Sequence, residues 1–121
     1  MIKPKTYLLV DDDADDTFLF REVLNEVEPS IELITAVDGE EALVKLGEQD
    51  RILPDLIFLD LNMPRMNGLQ CLYEIKHDRA LRSIPVIIYT TSSNSKDIEQ
   101  CMQLGAACFI TKQSNYKSLK N

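Results

Sequence analysis

Nothing in this 121-residue sequence approaches the roughly 20 consecutive apolar residues that a membrane-spanning helix requires, so no membrane partner is expected. The opening Met-Ile-Lys-Pro-Lys carries no apolar stretch of its own and leads straight into a strand-like segment, which argues against a signal peptide. Internal repeats, low-complexity tracts and linker-like stretches are absent, and the length suits one domain spanning 1–121. Histidine is nearly absent: His77, the only one, sits among charged residues and reads as exposed rather than catalytic. The three cysteines are odd in number and never spaced C-x-x-C, which argues against a disulfide framework or a zinc site. Cys71, Cys101 and Cys108 each fall inside an apolar pattern and are expected to be small buried hydrophobes in a reduced cytoplasm. A basic excess is also missing. Lysine and arginine number 13 against 20 acids, for a net charge of −7, so the chain repels phosphate backbones and is not expected to bind nucleic acid.

What is present is an ordinary globular composition, 45% hydrophobic and 27% charged. Five short apolar runs stand out: Tyr7–Val10, Ile31–Ile34, Leu56–Leu59, Val86–Tyr89 and Cys108–Thr111. Continuous runs rich in Val, Ile and Leu suit strands buried on both faces. Helical patterns lie between them. Phe20, Val23, Leu24 and Val27 recur at one helical face, stopped by Pro29. Asp38-Gly-Glu-Glu41 resembles a capping box that opens a helix through Ala42, Leu43 and Leu46 to Gly47. Leu69, Leu72 and Ile75 mark a third helix; Ile98, Cys101 and Met102 mark a fourth, opened by Ser95 and closed by Gly105. A fifth is weakly patterned by Tyr116 and Leu119 and is either cut short or the native end. Alternating strands and helices with short connections predict an α/β fold with a parallel sheet covered on both faces.

In such sheets, ligands bind beyond the carboxyl ends of the strands. Those ends carry unusual residues here: Asp11 and Asp12 after the first run, Asp60 after the third, Thr90 at the fourth and Lys112 after the fifth. The second contributes Ala36, Val37 and Asp38, which read as structural. Two carboxylates about 5 Å apart at an effective dielectric near 20 repel by roughly 3 kcal/mol. Lys112 offsets part of this, and a hard divalent cation would offset more; Mg²⁺ suits a few carboxylates, retained waters and phosphoryl oxygens. Asp60 is then a candidate nucleophile forming an acyl phosphate, a reaction that needs charge neutralisation and alignment rather than a histidine or cysteine. Asp13, Asp15 and Asp16 read as helix-starting acids that complement the dipole.

The run Leu8-Leu9-Val10-Asp11-Asp12-Asp13, the stretch from Pro54-Asp55 through Asp60-Leu61-Asn62-Met63-Pro64-Arg65-Met66-Asn67-Gly68, then Pro85 to Thr90, Leu104-Gly105-Ala106 and Phe109 to Lys112 together resemble the receiver domain of bacterial two-component response regulators. The resemblance covers nearly the whole chain. It implies a flavodoxin-like fold with strand order 2-1-3-4-5, phosphorylation of Asp60 by a sensor histidine kinase or phosphotransfer protein, and cytoplasmic signalling. It implies a Mg²⁺ site, with Mn²⁺ as a substitute, made by Asp12, Asp60 and the Asn62 backbone carbonyl, with Asp11 acting through a water. Thr90 and Lys112 would read the phosphoryl group, Thr90 and Phe109 would switch, and the face of the fourth helix, fifth strand and fifth helix would change its hold on a downstream protein or a second copy of the chain. Such a domain assists its own phosphorylation and dephosphorylation without being an enzyme that turns over a substrate. Two departures stand out. Gln113 replaces the family's proline after the lysine, where a cis bond would cost about 2.5–4 kcal/mol and a trans one would shift Lys112. Phe109 stands where tyrosine is frequent, favouring an inward ring.

Three other readings fit parts of the sequence. A haloacid dehalogenase-like phosphatase would use Asp13 of Asp13-Ala-Asp15-Asp16-Thr17 as nucleophile. A calcium loop would use Asp11, Asp13, Asp15 and Glu22, but lacks the glycine its turn needs. A receiver-shaped adaptor would bind partners without phosphorylation.

Overall fold

The computed structural model describes residues 5–48 and 53–112. The expected fifth helix and the Lys112–Gln113 bond lie outside the described residues. The elements run β1 (Thr6–Val10), α1 (Ala14–Val27), β2 (Glu32–Ala36), α2 (Gly39–Leu46), β3 (Leu56–Leu59), α3 (Gly68–Lys76), β4 (Val86–Thr90), α4 (Ser95–Gln103) and β5 (Cys108–Thr111). The strands form one sheet of order β2-β1-β3-β4-β5 with every pairing parallel. This is the expected flavodoxin-like architecture, and it makes β1 and β3 direct neighbours.

Alternation along each strand divides the core between two faces. Leu8, Val10, Ile57, Leu59, Val86 and Ile88 point toward the side covered by α2, α3 and α4, where they join Ala42, Leu46, Cys71, Leu72, Ile75 and Cys101 in one buried cluster. The other side is lined by aromatics. The Phe20 ring of α1 meets Phe58 of β3 at 4.9 Å and Tyr89 of β4 at 5.9 Å.

Local signals explain the helix starts. Asp13 accepts hydrogen bonds from the N–H groups of Asp15 and Asp16 and so caps α1. Asp38 accepts from the Glu41 N–H at 2.9 Å, while the Glu41 carboxylate accepts from the Val37 N–H, one residue further out than in the usual capping box. Asn67 caps α3. The fourth helix is capped by Asn94, one residue before the expected Ser95. It closes before Gly105, whose φ of 103° needs glycine.

Four expectations are corrected. Cys71 and Cys101 are buried, but Cys108 is exposed, because it opens the edge strand β5. That strand is not buried on both faces: Cys108, Ile110 and Thr111 are exposed and Phe109 is half-buried. On α1, Val23 and Val27 are exposed rather than core. The helix is 14 residues long, about 21 Å, whereas a five-residue strand spans only about 17 Å, so the last turn, with Val27, runs past the sheet. Lastly, the second strand begins at Glu32 and runs on to Ala36, not Ile31 to Ile34.

Candidate functional site

Sheet register brings the acids together. Val10 lies opposite Leu59, so the residues that follow, Asp11 and Asp60, leave adjacent strands at the same level. The Asp60 N–H extends the ladder to the Val10 carbonyl at 3.0 Å, and the Asp11 N–H to the Ala36 carbonyl at 2.9 Å. Carboxylate oxygens of Asp11, Asp12 and Asp60 all lie within 4.8 Å of one another. Asp11 and Asp60 are buried and Asp12 is exposed.

Lys112 enters from the far edge. Thr90 pairs with Thr111, and the next N–H, that of Lys112, donates to the Thr90 carbonyl at 2.6 Å. This throws the Lys112 side chain back across the strand ends. Its Nζ lies 2.5 Å from Asp11, 2.9 Å from Asp16 and 3.7 Å from Asp60, and 5.4 Å from the centre of the Tyr89 ring. The ammonium therefore reaches the acids as expected. Burial alone would lower the Lys112 pKa, but the hydrogen bonds to Asp11 and Asp16 outweigh it and hold the ammonium above the ordinary lysine range. Asp11 is pushed upward by burial, against the hydrogen bonds it accepts from Lys112 and from the Asp13 N–H.

These contacts rank the carboxylates. Asp11 is engaged on both oxygens, one by Lys112 and the other by the Asp13 N–H. Asp60 is held lightly: the Asn62 N–H is 3.4 Å from one oxygen, and Lys112 is 3.7 Å from the other. Asp12 and Asn62 share the wall of an open groove with Leu61, Met63, Pro64 and Asn67. A hard cation fits the three-carboxylate set, of which Asp11 already has both oxygens engaged. Thr90 ends β4 next to β3 with no exposed surface, and its hydroxyl accepts from the Ser92 N–H at 3.5 Å. Phe109 is half-buried against the core.

Gly68 lets α3 begin hard against the site. A Cβ there would stand 2.2 Å from the Asp60 carbonyl oxygen and 2.6 Å from the Leu61 Cα, and its N–H donates to the Leu61 carbonyl. Two participants escape a reading of the sequence. Asp16 does more than complement a helix dipole, since it holds Lys112. Asp38, in the segment read as structural, is fully buried and pairs with Arg65 of the β3–α3 loop. The hydrogen bond from the Glu41 N–H lowers the Asp38 pKa against the upward pull of burial, and Arg65 lowers it further. His77 is exposed as expected; it stacks on Tyr73.

The phosphatase and calcium-loop readings find no support here. Asp13, the phosphatase candidate, turns its carboxylate to the start of α1. The calcium-loop candidates Asp15 and Glu22 lie within a regular helix rather than a loop.

The family model of the response regulator receiver domain matches residues 7–121. The response regulator Rcp1 of Synechocystis is 40% identical over 120 residues, which is 96% of this chain and 82% of that protein. A protein-glutamate methylesterase/protein-glutamine glutaminase of Treponema denticola is 38% identical over 111 residues, 87% of this chain but only 28% of the relative. Among solved structures, the phosphorylated cyanobacterial phytochrome response regulator RcpA aligns over 97% of this chain and 86% of its own, at 37% identity and a TM-score of 0.88. The Mn²⁺-bound form of Rcp1 aligns over 96% and 86%, at 40% identity and 0.88. No described helix is long and apolar enough to cross a membrane. With the sheet order, the acidic cluster and these matches in agreement, the chain belongs to the response regulator receiver family of two-component signalling systems.

Proposed function

We propose that this domain is a phosphoacceptor switch in which Asp60 takes a phosphoryl group from a sensor histidine kinase or a phosphotransfer protein. The observation that carries the reading is the convergence of Asp11, Asp12 and Asp60 within 4.8 Å, with Lys112 beside them. Asp12, Asp60 and the Asn62 carbonyl would hold Mg²⁺, or Mn²⁺ in its place, with Asp11 reaching it through a water. Such a cation, when bound, neutralises phosphoryl and carboxylate oxygens that would otherwise repel.

Asp60 is the least engaged of the buried acids, which leaves an oxygen lone pair for attack. A new O–P bond forms from that oxygen as the bond to the donor breaks. The electron pair of the broken bond leaves with the donor, an imidazole nitrogen of the kinase or an acetate oxygen of acetyl phosphate. Lys112 then meets the added negative charge, and the Thr90 hydroxyl donates to a phosphoryl oxygen. Movement of Thr90 and inward turning of Phe109 would change the face that includes α4 and β5, and with it the hold on a downstream protein or a second copy of the chain. The action is signalling in the cytoplasm rather than turnover of a substrate. The phytochrome response regulators among its structural neighbours make a phytochrome-type kinase the first partner to try.

Intact-mass measurement after incubation with acetyl phosphate and Mg²⁺ tests the reading. Wild type and Asp13→Asn should gain one phosphoryl group and Asp60→Asn none. Labelling of Asp60→Asn with loss in Asp13→Asn would reverse the assignment. An unlabelled wild type would favour an adaptor that works without phosphorylation.

A further inference from the structure

We propose that Arg65 is a positioning residue for the cation site, clamping the β3–α3 loop to the start of α2 so that the Asn62 carbonyl is held ready for the ion. The inference rests on the reading of the site given above, and it concerns a contact distant from the acids themselves.

The loop between Asp60 and Gly68 is secured at its far end by Asn67, which caps α3, and by the Gly68 N–H on the Leu61 carbonyl. Between those points the chain passes through Arg65, the one non-glycine residue with positive φ among the described residues, at 60°. A left-handed arginine is strained and persists only where its surroundings enforce it. Those surroundings are the first turn of α2. The guanidinium hydrogen-bonds the fully buried Asp38 carboxylate, and its Nε lies 3.6 Å from Glu40. The next residue continues the contact: the Met66 carbonyl accepts from the Gly39 N–H at 3.2 Å. Gly39 has no room for a side chain, since a Cβ would stand 2.8 Å from the Met66 Cγ and 2.9 Å from its carbonyl oxygen.

Two features separate this clamp from ordinary fold maintenance. Asp38 caps α2 with one oxygen, Oδ1, and gives Arg65 the other, Oδ2. The cap is thus complete without the arginine. Moreover, whatever part of the guanidinium's positive charge is felt at a cation site opposes cation binding. Its presence is useful to the site only through where it puts the loop. A loop that is competent for a smaller fraction of the time lowers apparent affinity in proportion.

This gives a test in which, for Arg65→Met, geometry and simple charge predict opposite signs. Mn²⁺ affinity is measured on the full chain from the electron paramagnetic resonance signal of the free ion, for wild type, Arg65→Met, Asp38→Asn and the double variant. The Mg²⁺ needed for half-maximal acetyl phosphate labelling and the urea midpoint are followed in parallel. Asparagine at 38 keeps a good N-cap, so α2 is preserved. Each single variant should weaken Mn²⁺ binding about fivefold, with labelling at saturating Mg²⁺ unchanged. The double variant should be no weaker than either single one, because both break the same clamp.

Tighter or unchanged binding by Arg65→Met overturns the proposal, as does a double variant whose loss is the product of the two. A fall in maximal labelling with unchanged Mn²⁺ affinity also overturns it. If wild type is labelled and Arg65→Met behaves like it, the clamp fails alone. If wild type binds Mn²⁺ and the clamp effects appear without any labelling, the phosphoacceptor reading fails while the clamp stands.

Discussion

The two flanks of the acidic cluster are built differently. On the β2–β3 flank, the walls of the site are fixed by fit: Gly68 lies against the Asp60 backbone, Gly39 against Met66, and Asp38 holds Arg65 from a fully buried position. On the β5 flank, the strand is an edge with three of its four residues exposed, and what reaches the site is a single side chain held by charge. Packed contacts are rigid to within fractions of an ångström, whereas a buried ammonium shared among Asp11, Asp16 and Asp60 can shift among them without ever losing a carboxylate partner. The cation side is thus suited to hold still, and the Lys112 side is suited to respond when charge is added at Asp60.

Substitutions can break that comparison, and the largest effect belongs to the packed flank. Ile75→Ala, on the buried face of α3, should lose about 2–5 kcal/mol in urea unfolding. Gly68→Ala should cost about 1–3 kcal/mol, since the new Cβ meets backbone that cannot swing aside. It should also impair labelling of Asp60, by displacing the carbonyl it presses on. Acid unfolding sharpens the contrast further. The Asp38 pKa is lowered in the folded state, so its contribution is complete above the ordinary carboxylate value. It is lost as pH falls from there through the lowered folded value. Asp38→Asn should therefore flatten the acid limb of stability against pH below about 4.

Thiol labelling compares the flanks without mutation. Cys108 should react in the native state. Cys71 and Cys101 should react only on unfolding, because burial pushes their thiols up to about 12 and about 11. The smallest effect belongs to the open edge and the overhang: Ile110→Ala and Val27→Ala should each stay within about 0.5 kcal/mol of wild type.

The same difference explains which features could be read from the amino-acid order. The strands, their parallel arrangement and the acids at their ends follow from local apolar runs, because a buried parallel strand needs an unbroken one. Asp11, Asp12, Asp60, Thr90 and Lys112 were visible because each directly follows or ends such a run. Asp16 and Arg65 were not, since each acts through a partner far along the chain: Asp16 and Lys112 are 96 residues apart, Arg65 and Asp38 are 27 apart. No local pattern encodes those pairings. Val23, Val27 and Cys108 misled for the opposite reason. Their apolar spacing is genuine, but burial depends on which positions the neighbouring elements cover, which periodicity does not report.

The most direct test of the central claim is to trap the phosphorylated residue itself. After incubation with acetyl phosphate and Mg²⁺, borohydride reduction converts an acyl phosphate of aspartate to homoserine, which peptide mass mapping can place. Homoserine at position 60 alone, absent when Mg²⁺ is chelated, is the predicted result. Homoserine at position 11, 12 or 13, or none at position 60 in labelled protein, would contradict the account.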